Sequence, residues 1–234
     1  MKTIGLIGGM SWESTLLYYK QLNEGVKQQL GGLHSAKIVL YSVDFAEIEH
    51  LQAAGQWQLA GQLLAQAGKN IEQAGADFIV LCTNTMHKVA EQIEHNTNIP
   101  LLHIADATGE HIVAAGIKTI GLLGTAFTME QSFYKSRLQK KYNLSVLTPS
   151  DEDRKIIHDI IYQELCLGKI NNHSKKQYQR IMASLVEQGA EGIILGCTEI
   201  TLLVDQSDTS VPLFDTTALH ASKAVDIALN KKQR

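Results

Sequence analysis

Two side chains in this sequence have the greatest potential for acid–base chemistry. They are Cys82, in Val80-Leu81-Cys82-Thr83-Asn84-Thr85-Met86-His87, and Cys197, in Leu195-Gly196-Cys197-Thr198-Glu199. Each ends an apolar run in a small polar cluster. A thiol near a helix N-terminus can have its pKa lowered from about 8.5 into the neutral range, where it serves as base or acid. The third cysteine, Cys166 in Glu164-Leu165-Cys166-Leu167-Gly168-Lys169, is expected to pack against its own helix end. Which thiol acts depends on the elements that carry it.

Those elements alternate. Short apolar runs at 3–7, 38–43, 78–81, 101–104, 119–123, 145–148, 192–195 and 213–214 read as strands, and 13–29, 57–74, 129–141, 151–167 and 175–188 as helices. In the second helix Leu59, Leu63, Ala67 and Ile71 are expected on one face, with a period near 3.6. Strands apolar on both faces, alternating with helices, predict parallel sheets covered by helices.

The chain also echoes itself. KTIGLIGGMSWESTLLYYKQL from Lys2 parallels KTIGLLGTAFTMEQSFYKSRL from Lys118, QAGADFIVLCTNT parallels QGAEGIILGCTEI, and IPLLHIADAT parallels VPLFDTTALH. Lys2 and Lys118, Gly75 and Gly189, and Pro100 and Pro212 stand 116, 114 and 112 positions apart. Generic α/β units share apolar runs but not a repeated Lys-Thr-Ile-Gly-Leu. The predicted fold is therefore α/β, two pseudo-symmetric lobes, each a parallel sheet flanked by helices. The first comprises residues 1–104, completed by a C-terminal helix over 215–234, and the second residues 105–214. Such sheets bind ligands at the carboxyl ends of their strands. If the lobes face each other, those ends converge on one inter-lobe cleft, the expected active site.

At the offset of 114, Cys197 pairs with Thr83, and Cys82 pairs with Gly196. Consecutive strand positions point to opposite faces, so this one-residue slip aims Cys82 into the core if strand register persists that far. Two groups flanking one small ligand suit inversion at a carbon bearing hydrogen: one removes the proton, and the other delivers one to the opposite face. Asn84, Thr85, Thr125 and Thr198 are candidate donors to the carbanion, although each alone is more often a cap or turn residue.

The motifs Gly8-Gly9-Met10, Asn84-Thr85-Met86-His87, Gly124-Thr125 and Gly196-Cys197-Thr198-Glu199 resemble the aspartate/glutamate racemase family across essentially the whole chain. The wording is closest to the branch with bacterial L-aspartate/glutamate-specific racemases. The resemblance implies a cofactor-independent amino-acid racemase, with neither pyridoxal phosphate nor metal, usually a homodimer. It brings Met10 and Glu199 into the candidate substrate-binding set. Family members usually carry one cysteine directly before Asn-Thr and another in Gly-Cys-Thr, working as a two-base pair. Cys197 matches the second, but Thr83 stands where the first should be. We therefore expect asymmetric catalysis, with Cys197 the dominant acid/base and Thr83 a weaker donor or a relay through water. His87 could reach Thr83, contact substrate or organise the loop. Family members also place a lysine two residues before the glycine of a Tyr-x-x-x-x-x-Gly segment. Here Tyr162–Gly168 has Cys166 at that place, which leaves Gln52 and Lys169 as candidates for holding a distal substrate carboxylate.

Other classes fit less well. The net charge of −3 with scattered basic residues suggests no nucleic-acid surface, and the pairs at 140–141 and 231–232 read as solvated lysines. No apolar run nears the roughly 20 residues that span a bilayer, and the N-terminus reads as a first strand rather than a signal peptide. Three cysteines without framework or metal spacing fit a reducing cytoplasm, and the nine histidines are dispersed, so no metal site is expected. Gly5-Leu6-Ile7-Gly8-Gly9-Met10 matches no nucleotide-binding spacing; its glycines are expected to bring backbone N–H groups to a substrate carboxylate. Two rivals remain: a single-cysteine decarboxylase or isomerase of the same superfamily, and a protein that binds acidic amino acids without turning them over.

Overall fold

In the computed structural model, residues 1–230 are described. The last four residues of the expected C-terminal helix, with the lysine pair at 231–232, lie outside them. The elements run β1 (Ile4–Gly8), α1 (Trp12–Leu30), β2 (Ile38–Ser42), α2 (Phe45–Ala53), α3 (Trp57–Gln73), β3 (Phe78–Leu81), α4 (Ala90–Glu94), β4 (Leu101–Leu102) and α5 (Ile104–Ala114). Then follow β5 (Thr119–Gly124), α6 (Ala126–Glu130), α7 (Ser132–Tyr142), β6 (Ser145–Leu147), α8 (Asp151–Gln163), α9 (Asn172–Glu187), β7 (Ile193–Gly196), β8 (Leu213–Asp215) and α10 (Thr216–Ala228). Short 3₁₀ turns at Thr85–Val89, Leu165–Leu167 and Thr198–Leu202 sit among them. The chain divides into two compact units, Met1–Ile104 with the chain from His220 on, and Ala105–Leu219. No helix among the described residues is long and apolar enough to cross a membrane.

Each unit holds a four-stranded, all-parallel sheet, ordered β2-β1-β3-β4 in the first and β6-β5-β7-β8 in the second. The central strands β1, β3 and β7 are buried along their whole length, while edge strands β2 and β6 are half open. In the first unit, Ile7, Ile79 and Leu81 pack with Leu64, Ala67 and Ile71 of α3. On the opposite face Leu6, Phe78 and Val80 pack with Tyr18, Leu22 and Val26 of α1 and Ala221, Ala224 and Val225 of α10.

The echoes in the sequence have physical causes that recur in both units. A Cβ on Gly5 would come within 2.2 Å of Ile71 Cγ2, and one on Gly121 within 2.6 Å of Ile193 Cδ1 and 3.1 Å of Leu185 Cδ1. The repeated Ile-Gly-Leu thus lets a helix close on the sheet. The Asp77 carboxylate accepts the Thr3 N–H at 2.6 Å, and Glu191 accepts those of Lys118 and Thr119 at 2.7 and 2.8 Å. Gly75 and Gly189 follow α3 and α9 with φ of 89° and 100°, a conformation that favours glycine. The Pro100 and Pro212 carbonyls accept from Ile79 and Ile193 at 2.8 and 2.9 Å.

Three helix expectations differ from the structure. The buried stripe of α3 is Ala60, Leu64, Ala67, Gly68 and Ile71, with Leu59 and Leu63 exposed. Uniform steps of four drift by about 40° each around a 3.6-residue helix, so the expected face was rotated at its first two members. The helix expected over 129–141 is two, α6 and α7, divided at Gln131, whose ψ of 152° is extended. The helix expected to reach residue 167 ends at Gln163 and passes through the 3₁₀ turn Leu165–Leu167.

Candidate functional site

In the first unit the candidate residues gather at the carboxyl ends of β1 and β3. Cys82 continues the alternation of Phe78 and Val80 and is fully buried among Leu6, Tyr18 and Val225. Its thiol points at the Val80 carbonyl, 3.8 Å away, and burial pushes its pKa far up. It is a core thiol. Thr83, one position on, is partly exposed, and its N–H donates to the Leu81 carbonyl at 2.9 Å.

His87 holds that loop from inside. The Ile104 N–H donates to its Nε2 at 3.1 Å, so Nε2 is the unprotonated nitrogen, and Nδ1 donates to the Thr83 carbonyl at 2.7 Å. Both nitrogens are engaged by backbone in a side chain only 3% exposed. That geometry favours the loop-organising role over a base for Thr83 or a substrate ligand. His103 and His220 pack beside it, with ring centroids 4.5 and 5.8 Å away. The Tyr18 hydroxyl lies 2.8 Å from His220 Nδ1, and His220 Nε2 lies 2.8 Å from the Leu102 carbonyl. Burial pushes His220 down to about 4, so it is neutral near pH 7.

Asn84 and Thr85 are buried at the head of the 3₁₀ turn Thr85–Val89. Gln52 on α2 is buried, and its Nε2 lies 2.9 Å from Met86 Sδ. Met10 joins the apolar core with Ile48 and Met86. The expected use of the glycine N–H groups is corrected at Gly9, whose N–H donates to Thr15 Oγ1 at 2.8 Å. Gly9 is required for another reason: at φ 93°, a Cβ would sit 2.2 Å from the Val43 carbonyl oxygen. An open groove on α3 and α4, lined by Gln58, Gln62, Gln66, Lys69, Gln92 and Asn96, contains none of the candidates.

In the second unit, β7 delivers Cys197 to the N-cap of the 3₁₀ turn Thr198–Leu202. The residue is partly exposed, and its Sγ donates to Glu199 Oε2 at 3.0 Å. The expected lowering of its pKa is overturned. Burial comes first, then the Glu199 carboxylate and Cys166, and together they hold the thiol well above its ordinary value. A one-turn 3₁₀ segment supplies too little dipole to oppose them. At rest Cys197 is thus a protonated thiol beside a carboxylate.

The other candidates there serve structure as well. Thr125 caps α6, accepting the Thr128 N–H at 3.4 Å, and Thr198 Oγ1 lies 3.1 Å from Thr217 Oγ1. Asp215 caps α10 through the N–H groups of Thr217 and Ala218. Lys169 is exposed beyond Gly168. Cys166, expected to serve only its own helix end, is partly exposed and close enough to Cys197 to raise it. Sequence reasoning missed Tyr178 altogether. On α9 its buried ring is pushed up first by burial, then by Cys197, Cys166 and Glu164. Its only sequence signal was a place on the apolar stripe of a helix.

Two parallel-sheet α/β units of identical strand order, with a threonine and a cysteine at matching strand ends, define a duplicated α/β class of protein. Comparison with known proteins identifies the family. The profile described as Asp/Glu/hydantoin racemase matches residues 7–224, and the chain belongs to that family of isomerases. A solved structure of a proposed Asp/Glu racemase from Yersinia pestis is 61% identical and superposes with a TM-score of 0.93, covering 98% of this chain and 100% of that one. An aspartate racemase homologue from Pyrococcus horikoshii is 36% identical with a TM-score of 0.85, at 98% and 100% coverage. The broad specificity amino-acid racemase RacX of Bacillus subtilis is 27% identical over 161 residues, 68% of each chain.

Proposed function

We propose that this chain is a cofactor-independent racemase acting at the α-carbon of acidic amino acids, aspartate or glutamate. The observation that carries the reading is the Cys197–Glu199 pair: a half-buried thiol at a strand end, its proton already hydrogen-bonded to a carboxylate. Cys197 is the dominant acid/base. As a base, its thiolate takes the α-proton, and the carbanion's charge passes toward the substrate carboxylate. As an acid, the thiol returns a proton to that carbon. Thr83, at the matching strand end of the other unit, serves the opposite face through its hydroxyl or a water held there. With His87 committed to backbone, that imidazole does not draw the Thr83 proton, and the two directions differ in kcat. The equilibrium between enantiomers stays at unity. Asn84, Thr85 and Thr198 supply polar groups around the substrate, and Gln52 or Lys169 holds its distal carboxylate.

We further propose a cytoplasmic homodimer. Trp12, Leu16 and Tyr19 form an exposed stripe on one face of α1, 63%, 57% and 51% exposed. Such a stripe suits burial against a second copy, and sedimentation of Leu16→Glu against the native protein tests it.

The function is tested by incubating the enzyme with single enantiomers of aspartate, glutamate and other amino acids and separating the products on a chiral column. Parallel reactions in D₂O should wash deuterium into the α-position with no other change of mass. Decarboxylation of an arylmalonate without such exchange would establish the decarboxylase instead. Binding of acidic amino acids without exchange would establish a binding protein.

A further inference from the structure

Tyr178 carries a hydroxyl that the resting protein does not satisfy. The side chain is 0% exposed, and its oxygen has no hydrogen-bond partner among the described residues. A buried hydroxyl left unpaired is destabilising, and phenylalanine would fill the same space without that cost. The neighbourhood indicates what the hydroxyl serves. Ser174, one turn earlier on the same face of α9, donates its hydroxyl to Glu164 Oε2 at 2.7 Å. Glu164 heads the 3₁₀ turn that carries Cys166, and that turn packs on the 3₁₀ turn directly following Cys197. The charges that act on the Tyr178 hydroxyl are those of Cys197, Cys166 and Glu164, and the Cys197 sulfur is itself hydrogen-bonded to Glu199. All three are acids. Tyr178 is the one neutral donor of the group with its hydrogen bond unspent.

We propose that Tyr178 is a positioning residue whose O–H turns to the Cys197 sulfur when the thiol has given up its proton, and holds the thiolate during turnover. The proton leaves Cys197 for the substrate carbanion or for the Glu199 carboxylate. The sulfur keeps the electron pair and accepts the phenol hydrogen bond in place of its own proton. The unpaired hydroxyl is a cost of the resting state, recovered when the negative charge is on sulfur. This role rests on reading Cys197 as the acid/base, but its test does not depend on turnover.

The experiment is the rate of iodoacetamide alkylation at Cys197 in the substrate-free enzyme across pH, read by peptide mapping so that Cys166 and Cys82 are counted separately. In Tyr178→Phe the Cys197 rate at a given pH should fall about tenfold, equivalent to one pKa unit, while the Cys82 rate and the thermal midpoint hold or the midpoint rises. Placing 3-fluorotyrosine at position 178, a stronger donor, should move the Cys197 rate the other way. It also decides the matter if the phenylalanine variant does not fold. In turnover, kcat should fall with KM unchanged. An alkylation profile unmoved by either substitution overturns the proposal, even if racemisation is present. Absence of racemisation in the native enzyme would overturn the function reading while leaving the alkylation result to stand or fall separately.

Discussion

The carboxyl ends of β3 and β7 hold the same place in sheets of the same strand order, yet they carry different chemistry. Both strands are apolar and fully buried, and each ends in a partly exposed residue followed by a 3₁₀ turn. At β7 that residue is Cys197, its proton directed at Glu199. At β3 it is Thr83, its carbonyl fixed by His87, and the cysteine stands one position earlier in the core. A single step along a pleated strand separates a partly exposed side chain from a packing group. The two strand ends thus carry side chains of unequal acidity, and the asymmetric reaction proposed above rests on that difference.

The largest test of that inequality removes the stronger side. Cys197→Ala should lower racemisation about 10³-fold, the scale of a lost general acid/base, measured as single-turnover exchange in D₂O. Circular dichroism should be unchanged, because the thiol is partly exposed. Exchange surviving at native rates would move the chemistry away from β7. The reverse experiment strengthens the weaker side. Thr83→Cys places a thiol at each strand end and should raise the slower direction by about tenfold to a hundredfold, bringing the two kcat values closer together. A variant that folds and binds substrate with no gain would refute the pairing of positions 83 and 197.

A smaller effect separates Cys197 from its partner. The Glu199 carboxylate opposes a second negative charge on sulfur, so it holds the thiol up. Replacing it by a neutral amide removes that opposition and lowers the thiol pKa. Glu199→Gln should therefore alkylate about tenfold faster at Cys197 near neutrality, with the whole profile displaced toward lower pH. An unchanged or upward displacement would mean that burial alone governs the sulfur.

Much of this was legible in the chain, and the physical reason differs from part to part. The eight strands could be read because central parallel strands, buried on both faces, leave unbroken apolar runs such as Phe78–Leu81 and Ile193–Gly196. The duplication could be read because Gly5, Gly121, Gly75 and Gly189 answer to steric needs that admit little else. Helix α2 was missed although Asp44 caps it in plain view, accepting the Ala46 N–H at 3.1 Å; its short apolar pattern hid beneath the preceding strand. The proton affinity of Cys197 could not be read, since it depends on burial and on Glu199 folding back across two residues. Tyr178 could not be read either, because an unspent hydrogen bond has no signature in a sequence.

The smallest expected effect bears hardest on the comparison. Cys82 and Cys197 each stand at the end of an apolar strand, and composition alone would rank them equal. Register separates them: Phe78, Val80 and Cys82 share one face of β3, and Tyr18, Ala221 and Val225 close over it. Cys82→Ala removes one sulfur from that packing and should cost about 1 kcal/mol of stability, read from the urea midpoint. Racemisation should stay within about twofold of native, because neither the Thr83 loop nor β7 loses a hydrogen bond. Iodoacetamide should leave Cys82 unmodified until the protein unfolds, since a sealed thiol offers neither access nor thiolate. A loss of activity approaching that of Cys197→Ala would place the working thiol on the other phase of the strand and reverse the assignment of both strand ends.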